Sequence, residues 1–306
     1  MAAIIDGKQL AETIRKEIAA GVQEFSDKYK RRPRLAAVLA GDDPASHVYV
    51  RNKVKACEQV GIESESHHLD ASVTEDKLLG LLQKLNESHP VDGILLQLPL
   101  PKGLSKVRAL DAIHPSKDVD GLHPYNAGLL VQARAALIAC TPLGCIEALK
   151  RYDVPMAGAD AVVLGRSDLV GKPVATLLMH ENATVTVCHS KTKNLSEVVS
   201  RASIVVAAMG KAGFVTDEFI KPGAVIIDVG TTVLKQDSDV VEIFGANSKK
   251  VEDFRAGKTV ITGDVHPSAY EKASLYTPVP GGVGPLTITM LLQNTLTAAK
   301  LRERNS

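Results

Sequence analysis

Ser46, Tyr49 and Lys53 stand at i, i+3 and i+7 of a stretch with helical spacing, so a hydroxyl, an aromatic ring and an amine share one face. A lone helical lysine is ordinarily a solvated charge. It becomes a proton carrier only where burial or neighbours bring its pKa toward neutrality. Gln97 supplies a reason to read Lys53 that way, because it interrupts the apolar run ILLQLPLP and a buried amide needs a partner. Lys117-Asp118-Val119-Asp120-Gly121 adds a tight turn with two carboxylates. Thr277-Pro278-Val279-Pro280-Gly281-Gly282-Val283-Gly284-Pro285 adds a loop stiffened by prolines and stripped of side chains by glycines, against which a flat ligand can lie.

A second constellation concerns phosphate. The strand pattern AVVL (161–164) runs into Gly165-Arg166-Ser167-Asp168-Leu169-Val170-Gly171-Lys172-Pro173. This loop is not a GxGxxG fingerprint. Five residues separate its glycines where a nucleoside-triphosphate loop needs four, and Pro173 replaces the magnesium-binding hydroxyl. Pro173 suits a first helical position, and glycine at 165 lets a phosphate approach the helix N-terminus. The next strand, Thr184–Val187, ends in Cys188-His189-Ser190-Lys191 without the acid that would bind an NAD ribose. Arg166 and the hydroxyls instead suit the 2′-phosphate of NADP.

The elements that position these groups alternate. The spacing predicts helices after Asp6 and over 44–60, 74–85 and 142–152, others beginning near Gly171 and Leu195, and a long one over 285–302. Strands are predicted over 34–40, 63–69 and 93–98, then 161–164, 184–187, 204–208 and 224–229, with 259–262 as a possible fifth of the second set. Such alternation implies parallel sheets, whose ligands bind at strand carboxyl ends. We expect an α/β protein of two domains: residues 1–145, completed by the helix 285–306, and a Rossmann-like unit over 146–284. A cleft between them is the expected place for chemistry.

Composition excludes other classes. The 306 residues carry 36 Lys+Arg against 35 Asp+Glu, a net charge of +1, which offers no basic footprint for nucleic acid or a membrane surface. Trp is absent, with only 6 Tyr and 5 Phe, so the cores must be aliphatic. Cys57, Cys140, Cys145 and Cys188 lack zinc spacing; no metal is expected, and buried thiols in a reducing cytoplasm are. No apolar run reaches the roughly 18 residues of a membrane span, and the acid-bearing N-terminus is unlike a transit peptide.

Taken in order, Tyr49-x-x-x-Lys53, VDGILLQLPLP, KDVDG, CTPLG, GRSDLVGKP, CHSKT and TPVPGGVGP resemble the bifunctional methylenetetrahydrofolate dehydrogenase/cyclohydrolase family across essentially the whole chain. The resemblance implies oxidation of 5,10-methylenetetrahydrofolate by NADP and hydrolysis of the methenyl product to 10-formyltetrahydrofolate, in a homodimer. It implies that Tyr49 stacks on the aminobenzoyl ring, Asp120 holds the pterin amide edge, and Lys53 drives hydrolysis with Gln97 positioning it and lowering its pKa. Ser46, Leu96, Leu98 and the loop Pro280, Gly281, Gly282, Val283 and Gly284 join the substrate contacts. Gly165, Arg166, Ser167, Ser190 and Thr231 match the cofactor contacts. Asp168 stands where some relatives carry Lys, and Thr231-Thr232 where an aliphatic residue is common. A dehydrogenase without the hydrolase step, or a non-catalytic NADP-binding protein, are the alternatives; the second would need neither Lys53 nor Asp120.

Overall fold

The computed structural model describes residues 2–304. The chain divides into two compact units: residues through Leu10 with Thr141–Leu286, and Ala11–Cys140 with the residues from Thr287 onward. The first elements are β1 (Ala3–Ile4) and α1 (Gly7–Tyr29). Then follow β2 (Arg34–Ala40), α2 (Pro44–Val60), β3 (Glu63–Leu69), α3 (Glu75–Glu87), β4 (Gly93–Leu96), α4 (Lys106–Asp111) and α5 (Pro124–Val131).

β2 to β4 form a parallel sheet in the order β3-β2-β4. The aliphatic RLAAVLA of β2 takes the central place because both its faces are buried. α2 begins where Asp43 accepts the Ser46 N–H at 2.9 Å, with Pro44 in the first turn, and ends at Gly61 with φ 80°. β4 stops at Leu96, two residues before the predicted end. Gln97 makes one more main-chain bond, to Val38 O at 2.9 Å, before Pro99, which has no N–H to offer a ladder. Ala36, Val38, Ile94 and Leu96 pack with Leu78, Leu82 and Leu85 of α3.

The other unit contains α6 (Cys140–Arg151), β5 (Asp160–Leu164), α7 (Gly171–His180), β6 (Thr184–Cys188), α8 (Leu195–Val199), β7 (Ile204–Ala207), β8 (Val225–Asp228), β9 (Thr232–Val233), α9 (Asp237–Phe244), α10 (Lys249–Arg255), β10 (Ile261–Thr262), α11 (Pro267–Tyr270), β11 (Leu275–Tyr276) and the start of α12 (Val283–Arg304). Its sheet runs β1-β11-β8-β7-β5-β6, parallel throughout. The order reverses at β5, which makes its carboxyl end the switch point of a Rossmann-like unit.

Three expectations change. The segment 259–262 is not a fifth parallel strand: β10 pairs antiparallel with β9 in a separate two-stranded sheet. Beyond β8 the sheet continues with β11 and β1, so residues 2–10 join this unit rather than the domain that holds 11–140. Pro173 is the third residue of α7, not the first, still in the turn whose N–H groups lack helical partners. Among the described residues only Phe25 is aromatic in the set of largest fully buried side chains, as the aliphatic composition requires. None of the described helices is long and apolar enough to cross a membrane.

Candidate active site

At the carboxyl ends of β2 and β4, the Lys53 amine donates to Oε1 of Gln97 at 3.1 Å, while Nε2 of Gln97 donates to the Leu98 carbonyl at 2.6 Å. The amide thus orients its oxygen toward the lysine, since its nitrogen is already engaged. Tyr49, one turn earlier on α2, is half exposed. Ser46 is not held with this pair: it is buried, and its hydroxyl donates to Asp43 at 2.7 Å as part of the helix cap. The Leu96 side chain lies in the core, which leaves its main chain as the part able to meet a ligand.

The KDVDG turn separates its three charges. Lys117 is buried and donates to the carbonyls of Leu85, Asn86 and Ser88 at 2.7–2.9 Å, closing the end of α3; burial, then the nearby Arg302 charge, pulls its pKa down to about 8. Asp118 is buried, accepting His123 N–H at 2.8 Å and Asn126 Nδ2 at 2.9 Å, and burial raises its pKa. Asp120 alone of the three is partly exposed. The buried Cys140 thiol donates to Val119 O at 3.4 Å, and burial raises its pKa, helped by the Asp120 charge and opposed by Lys53. Lys53, which Gln97 holds, and Asp120 therefore both act on the Cys140 thiol, with opposite sign. A residue the motifs did not reveal holds this turn: Asn294 donates to Val119 O and Ile138 O, both at 2.8 Å. Spacing gave no signal for it, since Gln293 beside it and four threonines make amides and hydroxyls ordinary in α12.

In the six-stranded unit, Gly165 has φ +120° and packs so closely that a Cβ would lie 2.2 Å from Ala208 O. At Gly171 a Cβ would lie 2.3 Å from Gly165 O. Only glycines close this turn, and they leave backbone bare for a phosphate. Ser167 Oγ accepts the N–H groups of Val170 (3.2 Å) and Gly171 (3.3 Å), capping the turn into α7. Asp168 pairs with Lys172 at 2.5 Å. Arg166 is exposed and unpaired among the described residues. Ser190 and Lys191, also exposed, leave the neighbouring strand at the same end, since Leu164 pairs with Cys188 in register. No carboxylate stands between 189 and 194. Thr231 follows β8 at this same sheet edge and is exposed.

Behind Thr231 lies a buried pair that the sequence reading passed over. Asp264 accepts the N–H groups of Met209, Gly210 and Lys211 at 2.5–3.0 Å. Asp228 accepts those of Gly230, Asp264 and Val265 at 2.9–3.0 Å and the Tyr270 hydroxyl at 3.2 Å. Burial, then the neighbouring Asp264, pushes the Asp228 carboxyl up to about 7 against those donors. The loop 277–284 folds back through Gly282 N–H to Pro278 O at 2.8 Å, with Pro280 and Gly284 exposed and Gly282 and Val283 buried. α12 starts at Val283, two residues before the predicted Pro285.

A parallel sheet with a bare glycine turn at its switch point, in one chain with a lysine held by an amide, defines a two-unit α/β protein with a Rossmann-like unit. Comparison with known proteins narrows this class. Residues 5–120 match the family model of the tetrahydrofolate dehydrogenase/cyclohydrolase catalytic domain, and 139–303 that of its NAD(P)-binding domain. The chain belongs to this family and is a folate dehydrogenase and cyclohydrolase. It is 50% identical over 306 residues to the bifunctional protein FolD of Koribacter versatilis, covering 100% of this chain and 99% of that one. The crystal structure of FolD from Campylobacter jejuni superposes with TM-score 0.88 at 41% identity, over 99% of this chain and 100% of the other. The Trypanosoma brucei enzyme, solved with NADP and an inhibitor, gives the same TM-score and identity over 99% of each chain.

Proposed function

We propose that the chain oxidises 5,10-methylenetetrahydrofolate with NADP and hydrolyses the methenyl product to 10-formyltetrahydrofolate, with Lys53 as the proton carrier of the second step. The observation that carries this reading is the 3.1 Å bond from Lys53 to Gln97 at the carboxyl ends of β2 and β4. The nicotinamide supplies a hydride acceptor, and the methenyl cation left behind is resonance-stabilised, so oxidation asks the protein for positioning rather than for an acid. Tyr49 offers a ring face to the aminobenzoyl group, and Asp120 accepts the N–H groups of the pterin edge. Hydrolysis needs more: water loses a proton and the departing ring nitrogen gains one. Lys53 moves that proton, and Gln97 keeps its amine aimed.

Gly165, Gly171 and Ser167 would hold the dinucleotide phosphates, and Arg166 with Ser190 the 2′-phosphate. What supports NADP over NAD is the exposed guanidinium and the missing acid after β6. We extend the reading to a cytoplasmic homodimer. The four cysteines are free and buried, as suits a reducing compartment. The edge strand β6 leaves Val187 exposed, and Met179 on α7 is exposed too. Light scattering should return twice the 32.6 kDa chain mass; a monomer would remove the dimer from the account.

The purified chain, given 5,10-methylenetetrahydrofolate, should reduce NADP faster than NAD at equal concentration. Given methenyltetrahydrofolate alone, it should abolish that compound's absorbance. Oxidation without hydrolysis would leave a dehydrogenase only, and neither reaction would leave a binding protein.

A further inference from the structure

We propose that Asp42, His47 and His68 form a three-ligand site for a divalent transition-metal ion of the zinc type. The four cysteines contribute nothing to it, which is why cysteine spacing gave no hint.

The three residues come from separate elements that meet at the carboxyl end of β2. Asp42 follows Gly41, whose N–H is pinned to Leu69 O at 2.9 Å. His68 is the penultimate residue of β3, and His47 lies in the first turn of α2. One potential ligand atom from each lies within 4.8 Å of the other two. His68 Nε2 lies 3.3 Å from Asp42 Oδ1 and 3.2 Å from the Gly41 carbonyl oxygen, a hydrogen bond that a bound ion would replace. Bonds of about 2.0–2.2 Å in a tetrahedron place neighbouring ligand atoms about 3.4 Å apart. The two imidazoles meet edge to face, with centroids 4.9 Å apart and planes at 77°, so they converge from different directions instead of stacking.

Consecutive aspartates divide the work. Asp43 spends its carboxylate on Ser46 and the cap of α2, and hydrogen bonding to Ser46 lowers its pKa. Asp42 is left facing the histidines. A plain Asp42–His68 ion pair would account for two of the three groups, and His47, packed edge to face on His68, brings a third potential ligand atom to the same place. Two imidazole nitrogens favour zinc and its transition-metal neighbours, and one carboxylate is too little oxygen for calcium or magnesium. Asp42 and His68 are exposed enough for water to complete the coordination. A bound ion would tie the end of β3 to the first turn of α2, the helix that carries Tyr49 and Lys53.

The test uses the full chain, stripped with a chelator, returned to metal-free buffer and titrated with zinc chloride against a chromophoric competitor. We expect one zinc per chain, with affinity at least about tenfold weaker in His47→Ala and in His68→Ala. The control His89→Ala, which removes an exposed histidine elsewhere, should leave it unchanged. Cobalt chloride should give visible ligand-field absorption in the wild type that His68→Ala loses, while circular dichroism confirms that each variant is folded. Excess magnesium chloride should not compete. Absence of stoichiometric zinc binding in the wild type would overturn the proposal, as would unchanged binding in both histidine variants.

Discussion

Replacing Arg166 with alanine should separate the two nicotinamide cofactors. The guanidinium leaves the end of β5 exposed and unpaired, so nothing in its own unit competes for it. A hydrogen bond to a charged group contributes about 1.5–3 kcal/mol, and exposure argues for the lower part of that range. At 1.4 kcal/mol per factor of ten, a loss of about 1.5–2.5 kcal/mol raises the KM for NADP roughly 10- to 60-fold. NAD carries no 2′-phosphate, so its KM should move by less than about twofold on the same reasoning. Lys191, on the neighbouring strand exit, is a point charge on a flexible stem and should matter less when removed. The assay is the initial rate of methylenetetrahydrofolate oxidation over a range of each cofactor. Equal rises in both KM values would refute the reasoning, because they would place the 2′-phosphate elsewhere.

Two further variants probe the frame. The Asp92 side chain is fully buried and accepts both Arg31 nitrogens at 2.7 and 2.9 Å, Arg302 at 2.8 Å and Arg34 N–H at 3.0 Å. Asp92→Ala removes the acceptor two arginines share, but Arg31 keeps Glu303 and Arg302 keeps the His89 and Val91 carbonyls, so it should cost about 1.5–3 kcal/mol in urea unfolding followed by circular dichroism; a loss under about 0.5 kcal/mol would show the network to be ornamental. Asp228, raised to about 7 by burial, holds its proton in the folded state at pH values where the unfolded chain has released it. Its contribution to stability is therefore present at low pH and fades between about pH 4 and 7, by at most about 1.4 kcal/mol per pH unit. Asp228→Asn should remove that part of the slope, and matching pH profiles for variant and wild type would contradict it.

How much of this was legible depended on whether the signal was local. β2, α2 and the glycine turn after β5 carry their own periodicity, caps and breakers, so sequence spacing placed them within a residue or two. Lys53 and Gln97 were legible because a polar residue in an apolar strand demands a partner. β1 and β11 were not: two-residue strands show no alternation, and their pairing joins opposite ends of the chain. The same holds for β10, whose apolar residues look identical in a parallel strand and an antiparallel hairpin. Ser46 shares its helical face with Tyr49 and Lys53, yet spacing could not show that Asp43 would claim its hydroxyl. Asp228 lies inside the predicted strand 224–229 and Asp264 just beyond 259–262, and neither stood out because their value lies in backbone donors from distant turns. The Asp42, His47 and His68 cluster was invisible for the same reason.

One lysine, aimed by Gln97, is proposed to perform the hydrolysis while oxidation needs only positioning. Lys53→Met tests it most directly, since the substitution keeps the side chain's length and removes its proton chemistry. Purified variant should be given methenyltetrahydrofolate and the decay of its absorbance followed, with NADP and folate binding measured alongside. Hydrolysis should be at least about 100-fold slower with both ligands still bound. Hydrolysis at the wild-type rate would contradict it.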